Sequence, residues 1–224
     1  VTDGAPLAGR LVLVAGATSP SGEAVARSLT AAGAAVAVVG TRADALEALR
    51  ESVPGVTSYR CDLSDHAAVT DLAADIHSRS GPIDGLVHLV GGWRGGGGIA
   101  GQTDEDWEFF ERGFRTLRNT SRAFYDDLVA SPAGRLAIVS STWVDSPTAG
   151  GANYAAAKAA AEAWVRAVAH GFHKDAPRAA AVVFVVKTLA GLEGRLGDEV
   201  VRLWQTPPAA ENGTRIPLEP RMNQ

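Results

Sequence analysis

Apolar residues fall along the chain in short continuous runs, separated by longer stretches in which apolar positions recur every three or four residues. The runs lie at 10–15, 35–39, 56–60, 84–90, 135–141 and 179–186. Their length and their Val, Leu, Ile and Ala content suit strands buried on both faces. The helical periodicity predicts helices over 21–32, 43–52, 65–79, 104–130, 152–174 and 196–205. Such alternation predicts parallel strands with helices on both faces of the sheet. A last short strand, 214–218, follows the turn signal Glu211-Asn212-Gly213. Ser64 and Thr103 read as helix N-caps, and Pro132-Ala133-Gly134 breaks the chain before the fifth strand. The expected fold is α/β, a single domain over residues 1–224 with a doubly wound parallel sheet of about seven strands. There is no internal repeat, and the one low-complexity segment is Gly91-Gly92-Trp93-Arg94-Gly95-Gly96-Gly97-Gly98.

Composition narrows the function classes. With 224 residues, 46% of them apolar, the chain has enough material for a proper core. A net charge of −4 gives no general attraction to nucleic acid or anionic lipid. The single cysteine, Cys61, cannot form an internal disulfide, which suits a reducing cytoplasm, and reads as a small strand-end residue. No apolar run approaches the roughly 20 residues a membrane helix needs, and no signal-peptide pattern is read. The expectation is a cytoplasmic protein with a small-molecule partner, without nucleic acid, membrane or metal.

Chemistry concentrates in two places. Tyr154 and Lys158 stand four positions apart in the Ala-rich helix predicted from 152, so both side chains share a face. Ser141 ends the strand run thirteen positions before Tyr154. A free tyrosine has a pKa of about 10, and a nearby ammonium favours its phenolate. Tyr154 can then move a proton to or from a substrate oxygen while Ser141 holds that oxygen by a hydrogen bond. The second place is Gly16-Ala17-Thr18-Ser19-Pro20-Ser21-Gly22, set between the first strand and the first helix. Strand, glycine turn and helix N-terminus in that order build a phosphate site, here with the spacing G-x-x-x-P-x-G.

Together these features resemble the short-chain dehydrogenase/reductase family, over nearly the whole chain. The resemblance implies a Rossmann-like fold and makes Ser141, Tyr154 and Lys158 the catalytic group. It matches Gly16 and Gly22 to loop glycines of the cofactor site, with Thr18, Ser19 and Ser21 between them. It makes Asp62 and Leu63 the adenine contact after the third strand, and it places Gly91 at the end of the fourth. Tyr154 and Lys158 would also hold the nicotinamide ribose, and Thr188 the nicotinamide amide or a phosphate. NAD-preferring relatives keep an acidic residue at the end of the second strand; here Gly40 is followed by Thr41 and Arg42. Arg42 can bind a 2′-phosphate, so NADP(H) is expected over NAD(H). On the bland reading Thr41 caps the next helix and Arg42 is solvated.

The departures are as informative. Pro20 stands at the middle loop glycine and has no N–H, with Thr18, Ser19 and Ser21 as compensating hydroxyls. His88-Leu89-Val90-Gly91 replaces N-N-A-G, and His88 reads as a structural hydrogen-bonder rather than an acid/base. Phe114 stands where the family usually keeps a catalytic Asn, with Asn119 a poor substitute, so proton relay needs another route. Lys187-Thr188 replaces a Pro-Gly pair, and Lys187 reads as a solvated strand-end charge, with anion binding the alternative. The glycine-rich segment reads as a mobile loop beside the nicotinamide, Trp93 and Trp143 as apolar substrate walls and Arg94 as a carboxylate contact. The short stretch 189–197 implies a small lid and an open site.

Two activities follow as expectations. The first is NADP(H)-dependent reduction of a carbonyl, or oxidation of an alcohol, on a small and partly aromatic compound. The alternative is non-redox: an isomerase, dehydratase or cyclase using the same hydroxyls, or a nucleotide sensor. The family habit of pairing its long helices, here 104–130 and 152–174, implies a homodimer or homotetramer, and the alanines from Ala155 to Ala163 allow close packing.

Overall fold

A computed structural model describes residues 5–220. Seven strands, β1 (Leu11–Ala15), β2 (Ala35–Gly40), β3 (Val56–Arg60), β4 (Gly85–His88), β5 (Arg135–Ser141), β6 (Ala180–Val186) and β7 (Arg215–Pro217), form one sheet in the order β3-β2-β1-β4-β5-β6-β7. Every pairing is parallel. The helices are α1 (Pro20–Ala31), α2 (Ala43–Ser52), α3 (His66–Ser80), α4 (Asp104–Ala123), α5 (Tyr125–Ala130), α6 (Ala152–Asp175), α7 (Glu193–Arg202) and α8 (Pro208–Glu211). Two short 3-10 turns, Thr142–Val144 and Ala149–Gly151, join β5 to α6.

Alternate strand residues fill two cores. Leu13, Leu86, Ile138 and Val183 pack with Leu117 of α4 and Val165 and Phe172 of α6 on one face. Val14, Val87, Ala137 and Phe184 pack with Val25 and Leu29 of α1 and Leu196 and Val200 of α7 on the other. Both faces of β1, β4, β5 and β6 are covered, which is why these strands read as continuous apolar runs, whereas the edge strands β3 and β7 are partly exposed.

The expected helix over 104–130 breaks at Phe124, whose φ of −111° and ψ of 9° leave the helical region. The break lets Phe124 bury fully against His77, and Tyr125 restarts a helix and stacks on Phe172. The last long helix begins at Glu193 rather than 196 and ends at Arg202. Thr103 caps α4 by accepting from the Asp106 N–H at 3.2 Å, as expected. Ser64 does not cap α3: its hydroxyl is held by Asp62 at 2.7 Å, and Asp65 takes the cap by accepting from the Ala67 N–H. Thr41 is not a cap either; Arg42 occupies that position without a side-chain bond. In the predicted turn before β7, Asn212 accepts from the Ala181 N–H and donates to the Ala169 carbonyl, fixing the approach to the sheet edge.

Candidate active site

The C-terminal ends of β1, β4, β5 and β6 open onto a cavity of about 540 Å³. Tyr154 lies in the first turn of α6 and Lys158 one turn later, both half-buried and lining it. Ser141, buried as the last residue of β5, lines it too. Its hydroxyl accepts from the Trp143 N–H at 3.2 Å, which fixes its orientation at the start of the 3-10 turn. The three residues named from spacing are thus assembled around one space.

Their electrostatics differ from the expectation. Burial raises the Tyr154 pKa above its usual value, against the smaller pull of its hydrogen bond with Ser141. Lys158 does not reach the phenol oxygen: its ammonium donates to the Val139 carbonyl at 2.8 Å and lies 5.8 Å from the centre of the Tyr154 ring. Burial lowers Lys158 to about 8, partly offset by the negative charge of Glu162 one turn along α6. Glu162 is itself buried, accepting from the Ser140 hydroxyl at 2.6 Å and pairing with Arg215 of β7 at 3.1 Å. Arg215 also pairs with Asp145 at 2.8 Å.

Aromatic rings wall the cavity. Trp143 and Phe110 meet the Tyr154 ring edge-on at 6.0 and 5.7 Å, Trp93 meets Trp143 at 6.4 Å, and Phe109 meets Phe110 at 5.3 Å. Phe109 and Phe110 went unnoticed in the sequence, although they share a helical face with Gly113 and Phe114. Arg94 does not line the cavity: its guanidinium lies 4.2 Å above the Phe109 ring and faces Asp106 and Glu105 at 3.4 and 3.5 Å. A carboxylate contact there is therefore not what the structure presents.

The glycine-rich segment is tied down. Gln102, which the sequence did not single out, directs its amide nitrogen at the carbonyls of Gly96, Gly98 and Gly150, and accepts from the Asn153 N–H at the start of α6. The Gly96 N–H adds a bond to the Gly150 carbonyl at 2.8 Å.

His88 is buried with Nε2 2.9 Å from the Thr116 hydroxyl, which donates to the Gly113 carbonyl at 2.6 Å. That direction makes Nε2 the donor to Thr116. Burial, helped by the Lys158 charge, lowers His88 to about 3, so it is neutral at working pH. Phe114 lines the cavity and packs edge-on against Trp164 at 6.3 Å. Asn119 is committed elsewhere, donating to the Leu63 carbonyl.

A second cavity, about 560 Å³, runs along the ends of β1, β2 and β3 and shares Ser19, Leu89, Val90, Gly91, Phe109 and Gly113 with the first. Gly16, at φ +80°, forms its floor where a Cβ would lie 2.8 Å from Leu89 C and Val90 N. At Gly22 a Cβ would sit 2.5 Å from Ala17 Cα, so this glycine lets α1 close onto the turn after β1 without lining either space. Thr18, Thr41, Arg42, Asp62 and Leu63 line the second cavity, while Ser21 and Thr188 line the first. A long groove with a glycine floor and a helix N-terminus fits an extended dinucleotide.

Asp62 is held below the usual carboxylate range, first by the Ser64 hydroxyl and also by Arg112, whose guanidinium lies 2.6 Å away. Arg112, unremarked in the sequence, itself lines this cavity. Arg60 donates to the Thr41 carbonyl at 3.1 Å. Cys61 is buried and its thiol is pushed up to about 11, which makes it unreactive. Among the described residues no cluster of His, Cys, Asp and Glu could hold a metal ion, and no helix is long and apolar enough to cross a membrane.

Comparison with known proteins agrees with this architecture. The family model described as short chain dehydrogenase matches residues 10–186. A 2,3-dihydro-2,3-dihydroxybenzoate dehydrogenase of Bacillus subtilis is 33% identical over 68% of this chain and 60% of its own length. An NADP-dependent 3-hydroxy acid dehydrogenase of Salmonella typhi is 31% identical over 66% of this chain and 61% of its own. The matched stretch thus spans about three fifths of these relatives. Among solved structures, a metagenomic short-chain oxidoreductase in complex with NADP superposes with a TM-score of 0.84 at 23% identity, covering 97% of this chain and 100% of that one. An NADPH-bound short chain oxidoreductase from Pseudomonas aeruginosa PAO1, described as containing an atypical catalytic center, also gives 0.84, at 21% identity over 97% and 98%. At these identities the structural likeness speaks to the fold.

Proposed function

The chain belongs to the short-chain dehydrogenase family, and on that premise we propose that it is an NADP(H)-dependent oxidoreductase that reduces the carbonyl of a small, largely apolar organic compound. The observation that carries this reading is the convergence of Ser141, Tyr154 and Lys158 on an aromatic-walled space that continues into a dinucleotide-sized groove.

When bound, NADPH would supply the hydride for the carbonyl carbon. The chain's part is to position the substrate and to move a proton. Ser141 donates to the substrate oxygen from a hydroxyl already oriented by Trp143. Tyr154 gives that oxygen its proton. Its raised pKa keeps it protonated at neutral pH, the form that reduction needs and alcohol oxidation does not. Lys158, below pH 8 an ammonium, supplies positive charge beside the phenol as the proton leaves. Trp143 and Phe110 beside the Tyr154 ring, with the exposed Trp93 at the rim, favour a flat, apolar substrate body. Phe114 lines the cavity where the family resemblance implies an Asn, so proton resupply takes a route without that side chain.

In the groove, Gly16, Ser21, Gly91 and Thr188 would hold the phosphates and nicotinamide, and Leu63 and Asp62 the adenine, each being a lining residue of one of the two joined cavities. The end of β2 carries Gly40, followed by Thr41 and Arg42 rather than an acidic residue, and Arg42 is exposed on the cavity wall, which supports NADP(H) over NAD(H). The Salmonella relative is named as NADP-dependent, which points the same way. A cytoplasmic homodimer or homotetramer built on α4 and α6 completes the proposal.

The test is turnover of NADPH with a panel of aromatic and aliphatic ketones and aldehydes. The wild type should consume one NADPH per alcohol formed, and Tyr154→Phe should lose at least roughly a hundredfold in kcat. Product formed without NADPH consumption would replace this reading with the non-redox one.

A further inference from the structure

The phosphate loop is short of donors. In the first turn of α1, Pro20 has no N–H at all. The Gly22 N–H is taken by the Ser19 hydroxyl at 3.1 Å, and the Glu23 N–H by the Ser19 carbonyl at 2.9 Å. The Ser19 hydroxyl is in turn spent on the Gly16 carbonyl at 3.0 Å, so it is not free to compensate for Pro20. Of this turn's backbone donors, the Ser21 N–H is what remains to face an anion.

A cation stands across the same cavity. The chain leaves β6 at Val186, passes the sheet edge and enters α7, which packs on α1 so closely that a Cβ at Gly197 would strike the Ser28 side chain. The start of the connecting stretch shares a cavity with the first residues of α1. Its first residue, Lys187, is exposed and lines the cavity together with Ser19, Ser21 and Thr188. Lys187 has no hydrogen bond or ion pair to any described residue. Its ammonium thus stands at the cavity wall beside a helix start in which proline has removed one N–H donor and Ser19 occupies another.

Resting on the dinucleotide reading above, we propose that Lys187 binds the pyrophosphate of the cofactor and supplies the charge stabilisation that Pro20 removes from the loop. A lysine ammonium serves here as a point charge on a flexible stem, able to reach either phosphate.

Equilibrium titration of the full chain with NADPH and, separately, NADH tests this. Nicotinamide emission reports binding, and the unfolding midpoint of each variant serves as a control. Lys187→Met should weaken both dinucleotides by roughly tenfold or more and flatten the salt dependence of binding, whereas Lys187→Arg should retain most of the affinity. Pro20→Gly should recover part of the loss in the Lys187→Met background, because it restores an N–H. Unchanged binding of both dinucleotides by Lys187→Met would overturn the inference. So would a loss confined to NADPH, which would place Lys187 at the 2′-phosphate. A wild type that binds neither dinucleotide would instead overturn the oxidoreductase reading on which the inference stands.

Discussion

Glu162 offers a quantitative test of how the site is held. It is 2% exposed, while its partner Arg215 is 34% exposed and keeps a second ion pair with Asp145 at 2.8 Å. Removing one member of a fully buried pair costs about 3–5 kcal/mol. Here the stranded guanidinium keeps water and Asp145, and Gln would keep the Ser140 hydrogen bond, so Glu162→Gln should cost about 2 kcal/mol. For a chain of this size that corresponds to a midpoint lower by roughly 4–8 °C. The charge of Glu162 also supports the protonated Lys158, so its loss should push the Lys158 pKa below about 8. The assay is paired: urea unfolding for stability, and the pH dependence of kcat/KM for NADPH, whose falling alkaline limb reports Lys158 in the free enzyme. The limb should move to lower pH. Combining the change with Arg215→Met should cost less than the sum of the two single variants. Unchanged stability together with an unmoved limb would refute the claim that this buried pair supports the catalytic lysine.

Gly16→Ala should be destabilised by about 2–4 kcal/mol and bind dinucleotide poorly, since φ +80° strains any other residue and the added Cβ meets backbone of residues 89 and 90 at 2.8 Å; denaturant unfolding and NADPH titration check both. Lys158→Met should be more stable than wild type near neutral pH. Because the folded pKa lies near 8 and the usual value is 10.5, the unfolded chain holds more protons between them, so wild-type stability rises with pH over that window and the gap closes. Urea midpoints at several pH values would show this. Arg42→Ala should weaken NADPH by roughly tenfold and leave NADH nearly unchanged in the same titration.

The parallel sheet was legible because its central strands are buried on both faces, so those runs announced themselves without help from periodicity. The break at Phe124 was not, because it answers to packing against His77 and Phe172, which are distant in sequence. The α3 cap was misread because Asp62, two residues earlier, claims the Ser64 hydroxyl. In the site, Ser141, Tyr154 and Lys158 were picked out by their spacing together with the family resemblance, but the direction of the Tyr154 pKa is set by burial, and Lys158 is drawn to the Val139 carbonyl. Arg94 looked like a free cation until its acidic neighbours on α4 and the Phe109 ring were in place. Gln102 and Arg215 carried no local signal, since their partners lie on segments tens of residues away.

The most direct measurement is turnover with NADPH carrying deuterium at the transferred nicotinamide position, with the alcohol product analysed by mass spectrometry and NMR. The account predicts one deuterium on the former carbonyl carbon of each product molecule, and almost none formed by Tyr154→Phe over the same time. Unlabelled product with NADPH left unconsumed would contradict it.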